Sequence, residues 1–202
     1  MLIYYLDLFG TAVFALSGVL VAARKHMDFV GVVVLAAAVA IGGGTICDLT
    51  LGAWPIFWVA DNTYLYVILA AAVVGVLFIK GFHLLNQRLW LPVCDAVGVA
   101  TFLGIGLNKS LDYGTSYLVA IILGTITAIG GGMIRDLLAH EIPFVLKKEI
   151  YATACIVGGG VIVGGLQLGL ANTPALLLGM AVTLGVRLVA IFYALRLPEF
   201  RL

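Results

Sequence analysis

Charge is what this sequence has least of: 11 Lys and Arg and 10 Asp and Glu among 202 residues, or 10%. Average globular chains carry about 25% charged and about 45–50% apolar residues, whereas 63% of this chain is hydrophobic. So little polar surface could not cover a water-facing globule, which excludes a soluble fold. The formal net charge is +1, so no basic patch for nucleic acid and no acidic tail is expected. Cysteine is scarce as well, at three residues. Cys47, Cys94 and Cys155 are scattered through apolar stretches, an odd set that forms neither a disulfide framework nor a metal site. They read as small packing residues. No nucleophile–base pair, metal-ligand spacing or phosphate loop appears, so neither an enzyme nor a resident metal or cofactor is expected. The first apolar stretch begins at Met1 with no basic region ahead of it, which argues against a cleaved signal peptide.

What the chain has in abundance is long apolar sequence. A spanning helix needs about 20 such residues, and seven stretches qualify: 2–22, 29–52, 63–80, 90–108, 115–139, 149–168 and 174–195. The basic residues then orient the chain. With the N-terminus outside and the C-terminus cytoplasmic, Arg24, Lys25, Lys80, Arg88, Lys147, Lys148, Arg196 and Arg201 fall on the inner side. Lys109 alone falls on the outer side, and Arg135 and Arg187 lie within spans. Trp54, Trp58, Tyr64 and Trp90 sit near span ends, as interfacial anchors do. His26, His83 and His140 read as solvated surface.

The sequence also repeats. Gly42-Gly43-Gly44-Thr45-Ile46-Cys47-Asp48 returns as Gly130-Gly131-Gly132-Met133-Ile134-Arg135-Asp136, 88 positions later. The same shift lays Asp7 on Asp95, Gly10 on Gly98, Phe14 on Phe102, Gly18 on Gly106, Pro55 on Pro143 and Asp61 on Glu149, with no gap. Each copy holds three spans, and an odd number sends the second copy into the membrane upside down. The expected fold is therefore an all-α membrane protein with seven transmembrane helices. Repeat 1 (about 2–80) and repeat 2 (about 90–168) are inverted, and a seventh helix (about 174–195) completes a single transmembrane domain over 1–202.

Gly costs about 1 kcal/mol against Ala inside a helix, so the triplets at 42–44 and 130–132 predict breaks in the second and fifth helices. In lipid, broken backbone survives only against protein or a water-lined cavity. Both breaks would fall near the midplane and face each other, a pattern characteristic of transport proteins. Gly158-Gly159-Gly160 and Gly160-x-x-x-Gly164 read instead as close helix packing.

Charges within spans cost about 2.5–3.5 kcal/mol each on insertion scales and mark pathways. Thr45-x-x-Asp48 has the form of a capping box, so Asp48 and Asp136 are candidates to cap the half-helices after each break. Carboxylates beside bare carbonyls suit a cation. Arg135 and Arg187 suit an anion, or neutralise an Asp. Adjacent helical residues point about 100° apart, so Arg135 and Asp136 are not expected to pair. Ser17, Thr50, Thr125 and Thr127 read as bonding their own helices. The candidate ion path is Gly42, Gly43, Gly44, Thr45, Asp48, Gly130, Gly131, Gly132, Arg135 and Asp136. Arg187, Asp7 and Asp95 are candidate gating or charge partners.

Ala40-Ile41-Gly42-Gly43-Gly44-Thr45-Ile46 with Asp48, Pro55 and Phe57-Trp58 resembles the first repeat of the prokaryotic trimeric intracellular cation (TRIC) channel family. Ala128-Ile129-Gly130-Gly131-Gly132 with Arg135-Asp136, Pro143 and Glu149-Ile150-Tyr151-Ala152 resembles the second. The resemblance covers nearly the whole chain. It implies a homotrimer in the inner membrane and lipid bilayer, with one pore per protomer between the second and fifth helices, kinked at their triplets. It also implies permeation by potassium foremost, or sodium, with no metal held beyond transient potassium. One position departs from the family pattern: Cys47 stands where members usually carry an Arg, which leaves Arg135 without a symmetric mate. Some relatives are regarded as glycine transporters, so a secondary carrier of a small zwitterion is the alternative.

Overall fold

A computed structural model describes residues 1–84, 87–147 and 150–195. Lys148, Glu149, Arg196 and Arg201, with the side chains of Lys80, His83 and Arg88, lie outside the described residues. The described chain is helical: α1 (Leu2–Arg24), α2 (Phe29–Leu51), the one-turn α3 (Phe57–Ala60), α4 (Thr63–Leu84), α5 (Gln87–Asp112), α6 (Tyr117–Leu138), α7 (Ala152–Gln167) and α8 (Asn172–Phe192). A 3₁₀ turn, Phe144–Leu146, follows α6. Five helices are long and apolar enough to cross a membrane, namely α1, α2, α5 from Leu89, α6 and α8. Two shorter apolar stretches, Thr63–Phe78 and Ala152–Gln167, overlap the remaining expected spans.

The helix ends show the same local chemistry twice. The Asp28 carboxylate accepts from the Gly31 N–H at 2.7 Å to start α2. The Ser116 hydroxyl accepts from the Val119 N–H at 3.4 Å to start α6, 88 positions on. Both are side-chain caps on otherwise orphaned N–H groups. The turn after α2 uses Gly52 at φ 67°, and its mate after α6 is His140 at φ 54°. A left-handed backbone costs a side-chain-bearing residue about 1–2 kcal/mol, and glycine gives back about 0.5–1 kcal/mol of that in unfolded-state entropy. His140→Gly is therefore expected to be neutral or to raise thermal stability by up to about 1 kcal/mol, read as melting temperature in detergent.

Packing follows the same pseudo-symmetry. α1 lies on α2 and α4, α5 lies on α6, and α2 crosses α6 between them, while α8, which stands outside the repeats, covers α5 more than α7 does. Gly10 faces the Phe102 ring, and Gly98 faces the Phe14 ring. The two rings meet with centroids 5.0 Å apart, tilted by 31°. Phe14, Val39, Val99 and Leu103 are buried in the surrounding core.

The expected breaks at the glycine triplets are not there: α2 and α6 run as continuous α-helix through 42–44 and 130–132. The triplets serve close approach instead. A β-carbon on Gly43 would overlap the Thr127 carbonyl oxygen, and one on Gly131 would overlap the Val39 carbonyl oxygen. These contacts are reciprocal, since Val39 and Thr127 are themselves 88 positions apart. The absence of β-carbons lets the two backbones touch, as small residues do at membrane helix interfaces. Each carbonyl keeps its place in its own helix, so none is left bare. At the third triplet, Gly158 packs against the Gly179 carbonyl and Thr183, as expected, whereas Gly160 and Gly164 have nothing within 4 Å.

The loop after α6 is tied to the α1–α2 turn. Glu141 ion-pairs with Arg24 at 3.3 Å and Lys25 at 3.1 Å. Partial burial would raise its carboxyl pKa, but Lys25, Arg24 and Lys147 outweigh it and hold the group below its ordinary value of 4.5. The stability it contributes is present at neutral pH and is lost as pH falls through that lowered pKa. These partners are well exposed, so Glu141→Gln is expected to cost at most about 1 kcal/mol at pH 7. It should also flatten this part of the acid limb of stability against pH.

Candidate functional site

The crossing divides the candidate residues into two sites. Residue 39 meets 131 and residue 43 meets 127, so α2 and α6 run antiparallel past each other. Asp48 and Asp136, each five residues beyond its close-contact glycine, therefore diverge to opposite sides of the crossing.

At the first site Asp48 is buried, with 1% of its surface exposed. One carboxylate oxygen accepts from the Phe57 N–H at 2.9 Å, and the other is ion-paired with the Lys109 ammonium. The capping role expected for Asp48 thus goes to α3 rather than to a half-helix. Thr45 donates instead to the Ile41 carbonyl within α2, at 2.7 Å, and accepts from the Trp58 indole at 3.1 Å. Next to this pair lies a cavity of about 40 Å³, lined by Asp7, Gly44, Cys47, Asp48, Lys109 and Thr127 among others. Asp7 accepts from the Tyr64 hydroxyl at 2.7 Å. Tyr64 is 5% exposed, so it is a buried hydrogen-bond donor and not the interfacial anchor its position suggests.

At the second site Asp136 accepts from the Phe144 N–H at 3.0 Å, the counterpart of the bond from Phe57 to Asp48. Phe144 is 87 positions from Phe57, not 88, so one residue is lost between the repeats after the glycine motif. The gap-free alignment of the two copies fails there. Tyr151, also 87 positions beyond Tyr64, brings its hydroxyl beside Asp95. The largest difference between the sites is Arg135. Its guanidinium is fully buried and bonds Asp95 at 2.9 Å, Asp136 at 2.9 Å and the Ser17 hydroxyl at 3.1 Å. The bond to Asp136 corrects the expectation drawn from the 100° helical step, because the long Arg side chain curls back to its neighbour. Arg187 approaches Asp95 at 3.7 Å, donates to the Ile150 carbonyl at 3.1 Å and stacks 4.2 Å from the Tyr151 ring centre. The space bounded by Gly132, Asp136, Phe144 and Tyr151 has no room for a water molecule.

One residue pair accounts for the contrast. Where repeat 2 places Arg135, repeat 1 places Cys47. The smaller side chain leaves the first site hollow, and Lys109, from a helix of the other repeat, supplies the cation that Asp48 needs. Ser17, Thr50, Thr125 and Thr127 all bond carbonyls of their own helices, as expected. Lys109, Tyr64 and Tyr151 escape sequence reasoning as site residues. The available signal was Lys109 standing alone among basic residues on the outer side of the expected topology.

The fold and the two buried charge sites define a polytopic helical membrane protein. The family model described as Glycine transporter matches residues 4–80 and 92–167. The chain is 53% identical to a UPF0126 membrane protein of Vibrio cholerae, over all of this chain and 84% of that protein. It is 48% identical to the UPF0126 inner membrane protein YadS of Escherichia coli K12, over all of this chain and 98% of that protein. Among solved structures, the TRIC trimeric intracellular cation channel orthologue from Rhodobacter sphaeroides superposes with a TM-score of 0.88 at 37% identity, covering 96% of this chain and 99% of that one. A prokaryotic TRIC channel crystallised in 0.5 M KCl superposes at 0.90 with 30% identity, covering 98% and 99%. The chain belongs to the glycine-transporter family by that match and shares its fold with the prokaryotic TRIC channels, the family its repeat motifs resemble. The two matched segments begin 88 positions apart and end 87 apart, in step with the one-residue slip between the sites.

Proposed function

We propose that the protein is a monovalent cation channel, permeable to potassium, with a path through each protomer alongside the α2–α6 crossing. The observation that carries this reading is the cavity beside Asp48, where two carboxylates and one ammonium line about 40 Å³. A water needs about 10–15 Å³ of such space, so the cavity holds roughly three waters or a partly hydrated cation. Asp48, Gly44 and Thr45 flank this hollow end. Gly42, Gly43, Gly130 and Gly131 form the tight waist, and Gly132, Arg135 and Asp136 close the other end, with Asp95 holding Arg135 and Arg187 approaching Asp95 in turn. The relatedness to TRIC cation channels supports the cation and a homotrimeric assembly. The excess of basic residues on one side supports seven crossings with the N-terminus outside and the C-terminus cytoplasmic. The naming of an Escherichia coli relative supports the inner membrane.

A second reading, a carrier for glycine, is favoured by the family description and by one site being hollow while its mate is shut, the asymmetry that alternating access requires. Glycine has five non-hydrogen atoms, more than roughly three waters' worth of space accommodates, which ranks this reading second. Purified protein in planar bilayers with a potassium gradient is expected to give unitary currents reversing near the potassium potential, weakened by Asp136→Ala. No current at any voltage or calcium level, together with counterflow of labelled glycine in proteoliposomes, would overturn the channel reading in favour of the carrier.

A further inference from the structure

The ammonium of Lys109 has no counterpart in the pseudo-symmetric site. The residue 88 positions before it is Val21, and Asp136 takes its cation from Arg135. Lys109 reaches Asp48 from α5 across the cavity, keeping 29% of its side chain exposed against 1% for Asp48. Asp7 lines the same cavity and lies within electrostatic reach of both. A hollow with room for several waters, two carboxylates and no cation of its own would be a ready site for a divalent ion, which favours carboxylate oxygens and keeps its remaining waters. With an ammonium fixed on one of the two carboxylates, a divalent ion has a single acidic ligand and faces a like charge. A monovalent ion loses less, because it needs less neutralisation.

We infer that Lys109 is the residue that excludes divalent cations from this cavity, a built-in counter-ion that sets selectivity by valence. The inference rests on the cavity being the ion path only for its effect on current; the exclusion itself is a property of the cavity and is read without current. Lys109→Gln and Lys109→Met remove the charge, the second keeping the apolar stem so that one variant retains the packing of the long side chain. In purified protein, millimolar CaCl2 is expected to leave the melting temperature of the wild type unchanged. It should raise that of either variant by about 3 °C or more, since a ligand that binds only the folded form stabilises it. Lys109→Arg should behave as wild type, and adding Asp7→Asn to Lys109→Gln should abolish the rise. An equal calcium response in wild type and charge-free variants, or none in any variant that folds, overturns the inference. In bilayers, the variants should pass potassium with at least tenfold greater sensitivity to calcium block. A calcium-dependent melting shift in protein that carries no current would refute the channel reading while leaving the role of Lys109 intact.

Discussion

Gly43→Ala is expected to destabilise the protein by about 3 kcal/mol or more, and Gly131→Ala by as much. Overpacked cores lose about 1–3 kcal/mol when neighbouring side chains can shift. Here the obstructing atoms are the main-chain carbonyl oxygens of Thr127 and Val39, which move only if whole helices separate. Once α2 and α6 have moved apart for one added methyl, the second fits more easily, so the double variant should cost less than the sum of the two. Gly160→Ala is the control. Nothing lies within 4 Å of its β-carbon position, and helix propensity alone predicts a neutral or stabilising change of up to about 1 kcal/mol. Melting temperatures of the four proteins in one detergent check the series. Equal losses at positions 43 and 160 would show that flexibility, not contact, is what the triplets provide.

Arg135→Met is expected to cost about 3–5 kcal/mol, the usual penalty for stranding a buried charge. The guanidinium is 0% exposed and pairs with Asp95, itself 0% exposed, and with Asp136. Removing one of the two acids as well, in Arg135→Met with Asp95→Asn, should recover a large part of the loss, because Arg187 and Asp136 then leave the buried cluster with no net charge. A double variant no more stable than the single one would mean that the arginine acts by packing rather than by charge. In the channel reading the same substitution empties the shut site, so folded Arg135→Met protein should show more frequent openings than wild type.

Much of the fold could be read from residues alone because its main determinants are local and periodic. Apolar run lengths located the helices, whereas the caps that start two of them, Asp28 and Ser116, came only with the structure. The 88-residue shift paired Gly10 with Gly98 and Phe14 with Phe102, which do meet reciprocally in space. The triplets show where such reading stops. Propensity argues for a break at Gly42–Gly44, but propensity is a weak force of about 1 kcal/mol per residue, and a close contact with Gly130–Gly132 from a distant segment overrides it. The charge site was half legible. Asp48, Asp136, Arg135, Asp95 and Arg187 stood out as ions in apolar sequence. Their pairing did not, because it depends on side-chain reach: Arg135 curls to its own neighbour, and Lys109 bridges to Asp48 across 61 positions. The lost residue between the repeats was equally hidden, since Pro55 and Pro143 still align and the slip shows in the bonds from Phe57 and Phe144.

The ion pair between Asp48 and Lys109 also has a consequence for biosynthesis. At about 5–20 residues per second, roughly 3 to 12 seconds separate the arrival of the acid from that of its base. During that interval the nascent second helix carries a carboxylate with no counter-ion, and it must wait protonated or at the wet edge of the bilayer. Final seating of the first half of the molecule therefore follows translation of the second.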